Sequence, residues 1–252
     1  VPYLFVEMNA VASGAARRIG GASEAVCLAF EKTLFTLPAD CPSVVTGAPV
    51  SDAFHHATAE DPPCEGKQLL ILNGAAPRGG EFNLAAHQAV CSLREHLQDW
   101  RIIHQTGDRQ LELTERRYQQ SGFDAIVVAH IDQMPSLLRS SDLVVCRSGG
   151  SMLAELTCVG APAVLVPDPD SPSQAANAQA MAGLGAAVMT TQDSQQPLSE
   201  QLSGALTELL RDRLQRERMA QSARAAARPS AAGDIAQLCV DLLGVSPLRV
   251  AA

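Results

Sequence analysis

Basic residues are scarce relative to acidic ones in this 252-residue chain. Nineteen Lys and Arg stand against 27 Asp and Glu, which gives a formal net charge of −8. A general nucleic-acid-binding protein would carry the opposite sign, so we exclude nucleic acid as a partner. Charged residues make up only 18% of the chain and apolar residues 46%. This balance excludes wholesale disorder and allows a substantial buried core.

Long apolar runs and regular cysteine spacings are also missing. There is no run of roughly 18 apolar residues and no charged-then-apolar leader, so we expect neither a transmembrane helix nor a signal peptide. The seven cysteines form no close pair, which argues against a disulfide framework and against a zinc site. We therefore expect a cytoplasmic protein in which most cysteines are buried and reduced.

Short β-rich segments alternate with helix-length segments along the chain. The predicted strands are 3–6, 25–29, 43–46, 68–72, 101–105, 125–128, 143–146 and 163–166. The predicted helices are 11–19, 83–97, 111–120, 134–139, 151–159 and 174–184. The stretch 198–228 is predicted as one long helix or a pair, with Leu202, Leu206, Leu209, Leu210 and Leu214 on one side. This alternation predicts an α/β fold with a doubly wound parallel sheet.

A change of composition at residues 55–66 suggests two unequal domains. His, Asp, Pro and Gly interrupt any periodicity there, and we interpret the stretch as a linker. Residues 67–245 should form one complete Rossmann-like domain. Residues 1–54 hold about three strands and one helix, too little to bury their own sheet, so we interpret them as the remnant of a preceding domain. The start at Val1, not at a methionine, fits that interpretation.

The clearest local signal for a binding site follows the predicted strand 143–146. Small residues come directly after this strand, and a helix is predicted to start near Ser151. Such a turn places free backbone N–H groups and the positive end of a helix at the carboxyl edge of the sheet, where a phosphate can dock. Glu155, one turn into the helix, would accept hydrogen bonds from a ribose. The alternative is that the glycines serve only a tight turn.

A second signal follows the predicted strand 163–166. Gln174 and Asn177 are three residues apart on the next helix, so they can point together into the same crevice. Asp168 and Asp170 invite comparison with the paired aspartates of metal-dependent sugar transferases. The neighbouring prolines make them better turn and cap residues, so we predict no metal site.

Other polar features are weaker. The glycine-containing loop at 72–80 resembles a phosphate-binding loop by position only. His104 and His130 lie at predicted strand ends, and we expect structural roles for both.

Three sequence blocks together resemble the donor-binding half of the MurG family of bacterial glycosyltransferases. They are CRSGGSMLAEL at 146–156, GAPAVLVP at 160–167 and QAANA at 174–178. The segment AHIDQM at 129–134 resembles the family's segment that packs against uracil. VEMN at 6–9 and TGAPV at 46–50 resemble its His-Glu-Gln-Asn strand end and its Gly-Asn-Pro-Val turn. The resemblance covers nearly the whole chain and is most specific between residues 147 and 177.

The resemblance implies an inverting, metal-independent hexosyltransferase of GT-B fold that needs no cofactor. The family transfers N-acetylglucosamine from UDP-N-acetylglucosamine to the lipid-linked acceptor undecaprenyl-pyrophosphoryl-muramyl-pentapeptide in peptidoglycan (lipid II) synthesis. The enzymes lie peripherally on the inner face of the cell membrane, which they contact mainly through the acceptor domain. The helix starting near Ser151 would neutralise the leaving UDP.

The resemblance also implies a set of donor-binding residues. Residues 150–155 would hold the diphosphate and the ribose, with Glu155 on the ribose hydroxyls. Ile131 would meet the base, Gln174 would contact the sugar, and Asn9 would approach from the other domain. The full set is Asn9, Ile131, Arg147, Ser148, Gly149, Gly150, Ser151, Met152, Leu153, Ala154, Glu155, Gln174 and Asn177.

Several departures from the family pattern keep other functions open. The family's glycine-rich acceptor loop, and the histidine proposed as its base, would precede residue 1. Val6 replaces a histidine, Ser51 replaces an arginine, and Ala76 and Arg78 replace a serine and a glycine. We therefore leave the catalytic residues unassigned and expect this chain alone to bind a uridine nucleotide weakly without transferring sugar. The alternatives are a non-catalytic UDP-sugar-binding module and a divergent relative such as a nucleotide-sugar epimerase.

Overall fold

Two parallel β-sheets organise the protein in a computed structural model that describes residues 1–56, 66–73, 79–190 and 195–244. Ala76, Arg78 and most of the predicted linker lie outside these residues. The smaller sheet has the order β1-β2-β3. Its strands are β1 (Leu4–Glu7), β2 (Ala25–Leu28) and β3 (Ser43–Val45).

The larger sheet has six strands in the order β6-β5-β4-β7-β8-β9, and every neighbouring pair is parallel. The strands are β4 (Lys67–Leu72), β5 (Trp100–Gln105), β6 (Ile126–Val128), β7 (Leu143–Cys146), β8 (Ala163–Leu165) and β9 (Ala187–Met189). The predicted doubly wound α/β fold is confirmed. Strand β9, at the edge of the sheet, was not predicted.

Strand β4 shows why the larger sheet is covered on both faces. Successive side chains of a strand point to opposite faces. Leu69 and Ile71 belong to one core cluster, and Leu70 and Leu72 belong to a second cluster on the opposite face; helices supply the other side chains of both clusters. All four side chains are buried. An uninterrupted apolar run is therefore what this central strand requires.

The helices follow the predicted segments with shifted ends and two additions. They are α1 (Gly14–Ile19), α2 (Asp52–His55), α3 (Gly79–Ser92), α4 (Leu111–Ser121), α5 (Met134–Ser140), α6 (Gly150–Val159), α7 (Pro172–Gly183), α8 (Leu198–Arg211), α9 (Arg213–Ala226) and α10 (Ala231–Leu243). Helices α2 and α10 were not predicted. No helix in the described part of the chain is long and apolar enough to span a bilayer.

The segment 198–228 forms a pair of helices because Asp212 interrupts it. The Asp212 carboxylate accepts a hydrogen bond from the Gln215 N–H and caps α9. The predicted leucines of α8 are buried, but Leu214, on the new helix, is 66% exposed. The prediction that Leu214 shares their face is therefore wrong. It assumed one continuous helical period across the cap.

Contacts between the two sheets cross the predicted domain limits. Phe54 of α2 is buried in the core of the larger sheet, so a division between residues 54 and 55 cuts through one helix. The connection between α9 and α10 returns to the smaller sheet at Gly47. This glycine has φ +88°, and a Cβ there would lie 2.3 Å from the Arg228 Cβ. The chain after residue 226 therefore packs against the smaller unit, meaning the three-stranded sheet with its helices, as distinct from the larger unit built on the six-stranded sheet.

Arg216 is a buried charged side chain that joins α9 to the end of α8. It is 5% exposed, and its guanidinium donates to the carbonyl groups of Leu209 and Leu210. The guanidinium also lies over the Trp100 ring, 5.1 Å from the centroid. These carbonyls are among the last four of the helix, which have no partner within it. Arg216 therefore satisfies polar groups that burial would otherwise leave unpaired.

We predict that Arg216→Ala lowers the free energy of unfolding by about 2–3 kcal/mol, because buried carbonyls lose a charged donor. Urea denaturation followed by the fluorescence of Trp100, the single tryptophan, measures the change. Arg213→Ala is the matched control, since Arg213 is 81% exposed and pairs with Glu217 on the surface. Equal midpoints for the two variants would contradict this role for Arg216.

Candidate donor site at the start of helix α6

A crevice is expected where the strand order of the larger sheet reverses, between β4 and β7. Ligands of doubly wound sheets bind at the carboxyl ends of such neighbouring strands. Helix α6 begins there at Gly150, four residues after β7 ends, and no side chain caps its N-terminus at Gly149. The first backbone N–H groups of the helix have no partner within it and carry the positive end of the helix dipole. The helix start predicted near Ser151 is confirmed to within one residue.

The side chains of the predicted run 147–155 divide into two groups. Ser151 is exposed, and Met152, Ala154 and Glu155 are partly exposed, so all four are accessible. Gly149 is partly exposed and Gly150 is buried. Ser148 and Leu153 are 0% and 1% exposed. Ser148 and Leu153 therefore lie beneath the accessible side chains of this run.

Ser148 and Arg147 connect β7 to the neighbouring turn after β8. The Ser148 hydroxyl donates to the Gln174 carbonyl at 2.8 Å. One guanidinium nitrogen of Arg147 donates to the carbonyls of Val166 and Pro167 at 3.3 and 3.2 Å. Its guanidinium also lies 5.1 Å from the centroid of the Phe82 ring. Both side chains therefore hold the two strand ends together.

Glu155 is the partly buried carboxylate of this helix. Burial raises its pKa above the ordinary value of a glutamate. The nearby Glu155 charge also contributes to the raised pKa of the buried Cys146 thiol, after burial itself. A carboxylate in such a setting gains from hydrogen bonds to hydroxyl groups, because they replace water around the charged form.

Gln174 and the aspartates of the turn after β8 form a local hydrogen-bonded structure. The Gln174 side-chain oxygen accepts the Asp168 N–H at 3.0 Å. The Asp168 carboxylate accepts the Asp170 N–H at 3.0 Å, so the predicted turn role of Asp168 is confirmed. Among the residues that the structure describes, no three His, Cys, Asp or Glu side chains are grouped as metal ligands.

Asn177 joins the smaller sheet to the start of α6. Its side-chain oxygen accepts the Ala10 N–H at 2.7 Å, and its nitrogen donates to the Asn9 side-chain oxygen at 3.0 Å and to the Ser148 carbonyl at 2.9 Å. It is 0% exposed. The expectation that Gln174 and Asn177 point together into an open crevice is therefore not met. Asn177 is enclosed between the two sheets, beside Asn9.

Glu7 fixes the chain segment that reaches α6. Its carboxylate accepts the backbone and side-chain N–H groups of Asn9 at 3.0 and 2.9 Å and the Ser13 N–H at 2.7 Å. Glu7 is 2% exposed. All three hydrogen bonds bend the chain after β1 back on itself. A single acidic residue at a strand end carried no signal of this role in the sequence.

Ile131, His130 and His104 lie in three different environments. Ile131 is partly buried and packs against the core of the larger sheet. His130 is largely exposed and lies 2.9 Å from the Asp108 carboxylate. His104 is 0% exposed and hydrogen-bonded within the core, so its expected structural role is confirmed. Burial, with a smaller effect of His87, lowers the His104 pKa to about 3.

A cavity of about 770 Å³ extends from this region between the two sheets. Its walls include Leu153, Ala154 and Cys158 of α6, the last turns of α7, and the segments that follow β2 and β3. The cavity borders the predicted donor site without coinciding with it, because the exposed start of α6 lies outside its lining. A cleft between the two sheets is thus present in the described structure.

The GT-B fold consists of two Rossmann-like domains that face each other across a cleft. The two parallel sheets of this chain and the cleft between them have that arrangement. The model of the glycosyltransferase family 28 C-terminal domain matches residues 78–235. The chain belongs to glycosyltransferase family 28.

Two curated relatives of this chain share one name, UDP-N-acetylglucosamine–N-acetylmuramyl-(pentapeptide) pyrophosphoryl-undecaprenol N-acetylglucosamine transferase. The relative from Stutzerimonas stutzeri is 32% identical over 248 residues, which cover 96% of this chain and 67% of the relative. The relative from Geobacter sulfurreducens is 30% identical over 238 residues, covering 92% and 64%. The chain thus spans about two thirds of the length of these relatives.

Solved structures show the same fold. Acinetobacter baumannii MurG has a TM-score of 0.75 at 28% identity, over 94% of this chain and 66% of that chain. A putative UDP-N-acetylglucosamine 2-epimerase from Listeria monocytogenes has a TM-score of 0.67 at 14% identity, over 90% and 62%. At this low sequence identity, the similarity to the epimerase shows a shared fold only.

Gly150 lies where the smaller and larger units pack closely against each other. A Cβ at this position would lie 2.3 Å from the Met8 carbonyl oxygen. We predict that Gly150→Ala lowers the free energy of unfolding by about 1–3 kcal/mol, because backbone must shift to admit the methyl group. Gly204→Ala on α8 is the control, since a Cβ there meets nothing within 4 Å. Thermal unfolding compares the two, and an unaffected Gly150→Ala protein would refute this close packing.

Proposed function

We propose that the chain binds UDP-N-acetylglucosamine and takes part in its transfer to undecaprenyl-pyrophosphoryl-muramyl-pentapeptide in lipid II synthesis. The observation that carries the proposal is the uncapped start of α6 at the reversal point of the sheet, in a member of glycosyltransferase family 28. Backbone N–H groups at such a position bind phosphate oxygens. The names of the relatives support both substrates.

The donor would lie across the carboxyl ends of β4, β7 and β8. Its diphosphate would accept hydrogen bonds from the N–H groups of residues 150–152, and Glu155 would accept hydrogen bonds from the ribose. Ile131 would contact the base, and Gln174 and Asn9 would approach the sugar. In a transfer reaction, the positive end of α6 would stabilise the negative charge that develops on the departing UDP.

We propose that the described residues hold the donor and leave the acceptor and the general base to other parts of the enzyme. Glu7 is the acidic residue nearest Asn9, but its carboxylate is buried and accepts three protein hydrogen bonds. A base must reach the acceptor hydroxyl directly or through one water. We therefore expect residues 1–252 alone to form no lipid-linked disaccharide.

We also propose that the transfer inverts the configuration of the sugar, that it needs no metal, and that the enzyme attaches peripherally to the cytoplasmic face of the membrane. Metal independence has a physical basis, since helix N–H groups can offset the charge of a diphosphate without an ion.

A UDP-sugar-binding module without transfer activity is the second candidate. The engagement of both Glu7 carboxylate oxygens and of the Asn177 amide by protein partners favours it.

We predict that Glu155→Ala weakens UDP-N-acetylglucosamine binding at least tenfold. Hydrogen bonds to a charged group contribute about 1.5–3 kcal/mol each, and this loss corresponds to about 1.4 kcal/mol or more. Isothermal titration calorimetry at neutral pH measures the affinity. Glu112→Ala is the matched control, because Glu112 is 82% exposed on α4 and pairs with Arg116. A folded Glu155→Ala protein with the affinity of the natural chain would remove Glu155 from the site.

We also predict that the affinity for UDP-N-acetylglucosamine is the same in excess chelator and in millimolar magnesium. The expected charge partner of the diphosphate is the start of α6, and Asp168 is used by the turn at Asp170. The same calorimetric titration, run in both solutions, checks this. A strict requirement for magnesium or manganese would assign the diphosphate to an ion instead of the helix.

A further inference from the structure

A chain of buried hydrogen bonds runs through the larger sheet toward its carboxyl edge. The Tyr118 hydroxyl on α4 lies 3.1 Å from Nδ1 of His104 on β5, and Nε2 of His104 lies 3.1 Å from the side-chain oxygen of Asn83 on α3. The same oxygen accepts from the Asn73 nitrogen at 2.8 Å. That nitrogen also donates to the Gly79 carbonyl at 2.7 Å. We call Tyr118, His104, Asn83 and Asn73 the relay.

The chemistry of these groups gives the relay one consistent direction. The Asn83 oxygen already accepts from Asn73, and the Asn83 nitrogen donates to the Thr106 carbonyl. His104 must therefore donate to Asn83 through Nε2–H, which leaves Nδ1 to accept from the Tyr118 hydroxyl. The lowered pKa of His104 keeps the ring neutral, as this arrangement requires. Each hydrogen bond thus fixes the orientation of the next group.

The relay ends beside the reversal point of the sheet. Asn73 follows the last residue of β4, and Gly79 is the first residue of α3. The Asn73 side-chain oxygen is buried and has no partner among the described residues. The four relay residues are each at most 2% exposed. A buried polar chain of this kind specifies a single arrangement, because each unmet hydrogen bond is costly in the core.

We propose that the relay positions the first turn of α3 at the donor crevice, so that the Tyr118 hydroxyl acts on nucleotide binding without touching the nucleotide. The proposal rests on the proposed function, because it assumes a UDP moiety between β4 and β7. Tyr118, His104, Asn83 and Asn73 are then positioning residues for the donor. Loss of the Tyr118 hydroxyl leaves Nδ1 of His104 without its donor, so that only the Nε2–H bond to Asn83 still orients the ring.

Nuclear magnetic resonance of the full 252-residue chain tests the relay itself. In the natural chain, ¹⁵N spectra of the imidazoles should show His104 as the Nε2–H tautomer. Tyr118→Phe should change the ¹⁵N chemical shifts of the His104 ring and shift the amide signals of Gly79 and Gly80. Tyr3→Phe is the matched control, since it removes an exposed hydroxyl that donates to the Ile19 carbonyl. Unchanged Gly79 and Gly80 signals in Tyr118→Phe would overturn the relay, whatever the chain binds.

Calorimetry with UDP tests the link to the donor. Tyr118→Phe should weaken binding about three- to tenfold, the effect of one lost neutral hydrogen bond, while Tyr3→Phe should bind as the natural chain does. His104→Gln places an N–H donor near the position of Nε2 and should preserve affinity. In the His104→Gln variant, adding Tyr118→Phe should not weaken UDP binding further. If Tyr118→Phe acted only by destabilising the fold, it would weaken binding in that variant as well.

Two outcomes separate this proposal from the proposed function. If Tyr118→Phe binds UDP as tightly as the natural chain, the relay has no part in donor binding. If the natural chain binds no UDP, the proposed function fails, and the Gly79 and Gly80 signals alone decide whether the relay positions α3. Matching near-ultraviolet circular dichroism of each variant confirms that folded proteins are compared.

Discussion

The side-chain amide of Asn177 connects the two sheets, and the geometry of the crevice between them depends on it. Its oxygen accepts from the backbone after β1, and its nitrogen donates to the carbonyl just before the N-terminal cap of α6. An unpaired buried amide would cost about 1–3 kcal/mol, so the two segments stay together. The approach of Met8 to Gly150 is a consequence, since only a residue without Cβ fits there. Glu7 completes the arrangement by bending the chain toward Asn9.

Because Asn177 holds the two sheets together, the start of α6 has two roles. One side of the helix end meets the smaller sheet through Gly150, while Ser151 and Glu155 remain accessible beside it. In the function proposed for this member of family 28, a donor bound there would lie next to the contact between the two units. Donor binding and the relative position of the sheets would then be coupled, because both use the same turn of helix.

Much of the fold was predictable because burial leaves a pattern in the chain. Continuous apolar runs such as 143–146 identify strands covered on both faces, and their alternation with helical segments predicts the doubly wound sheet. Strand β9 was missed because Val188 is the only one of its three residues that favours strands. Leu214 was misplaced because a continuous helical period was extended through Asp212, whose cap begins a new helix. Helix ends depend on such single side-chain hydrogen bonds.

For the site, the sequence by itself determined the helix start after β7, the turn at Asp168 and the family to which the blocks at 146–178 belong. These features are local, since each depends on residues a few positions apart. Only the tertiary structure decided that Asn177 is enclosed, that Glu7 is fully bonded, and that Asn73 and Tyr118 belong to one buried chain. The partners of Asn177 include Ala10, 167 residues away. Hydrogen bonds across such separations arise from packing, and no spacing within one segment encodes them.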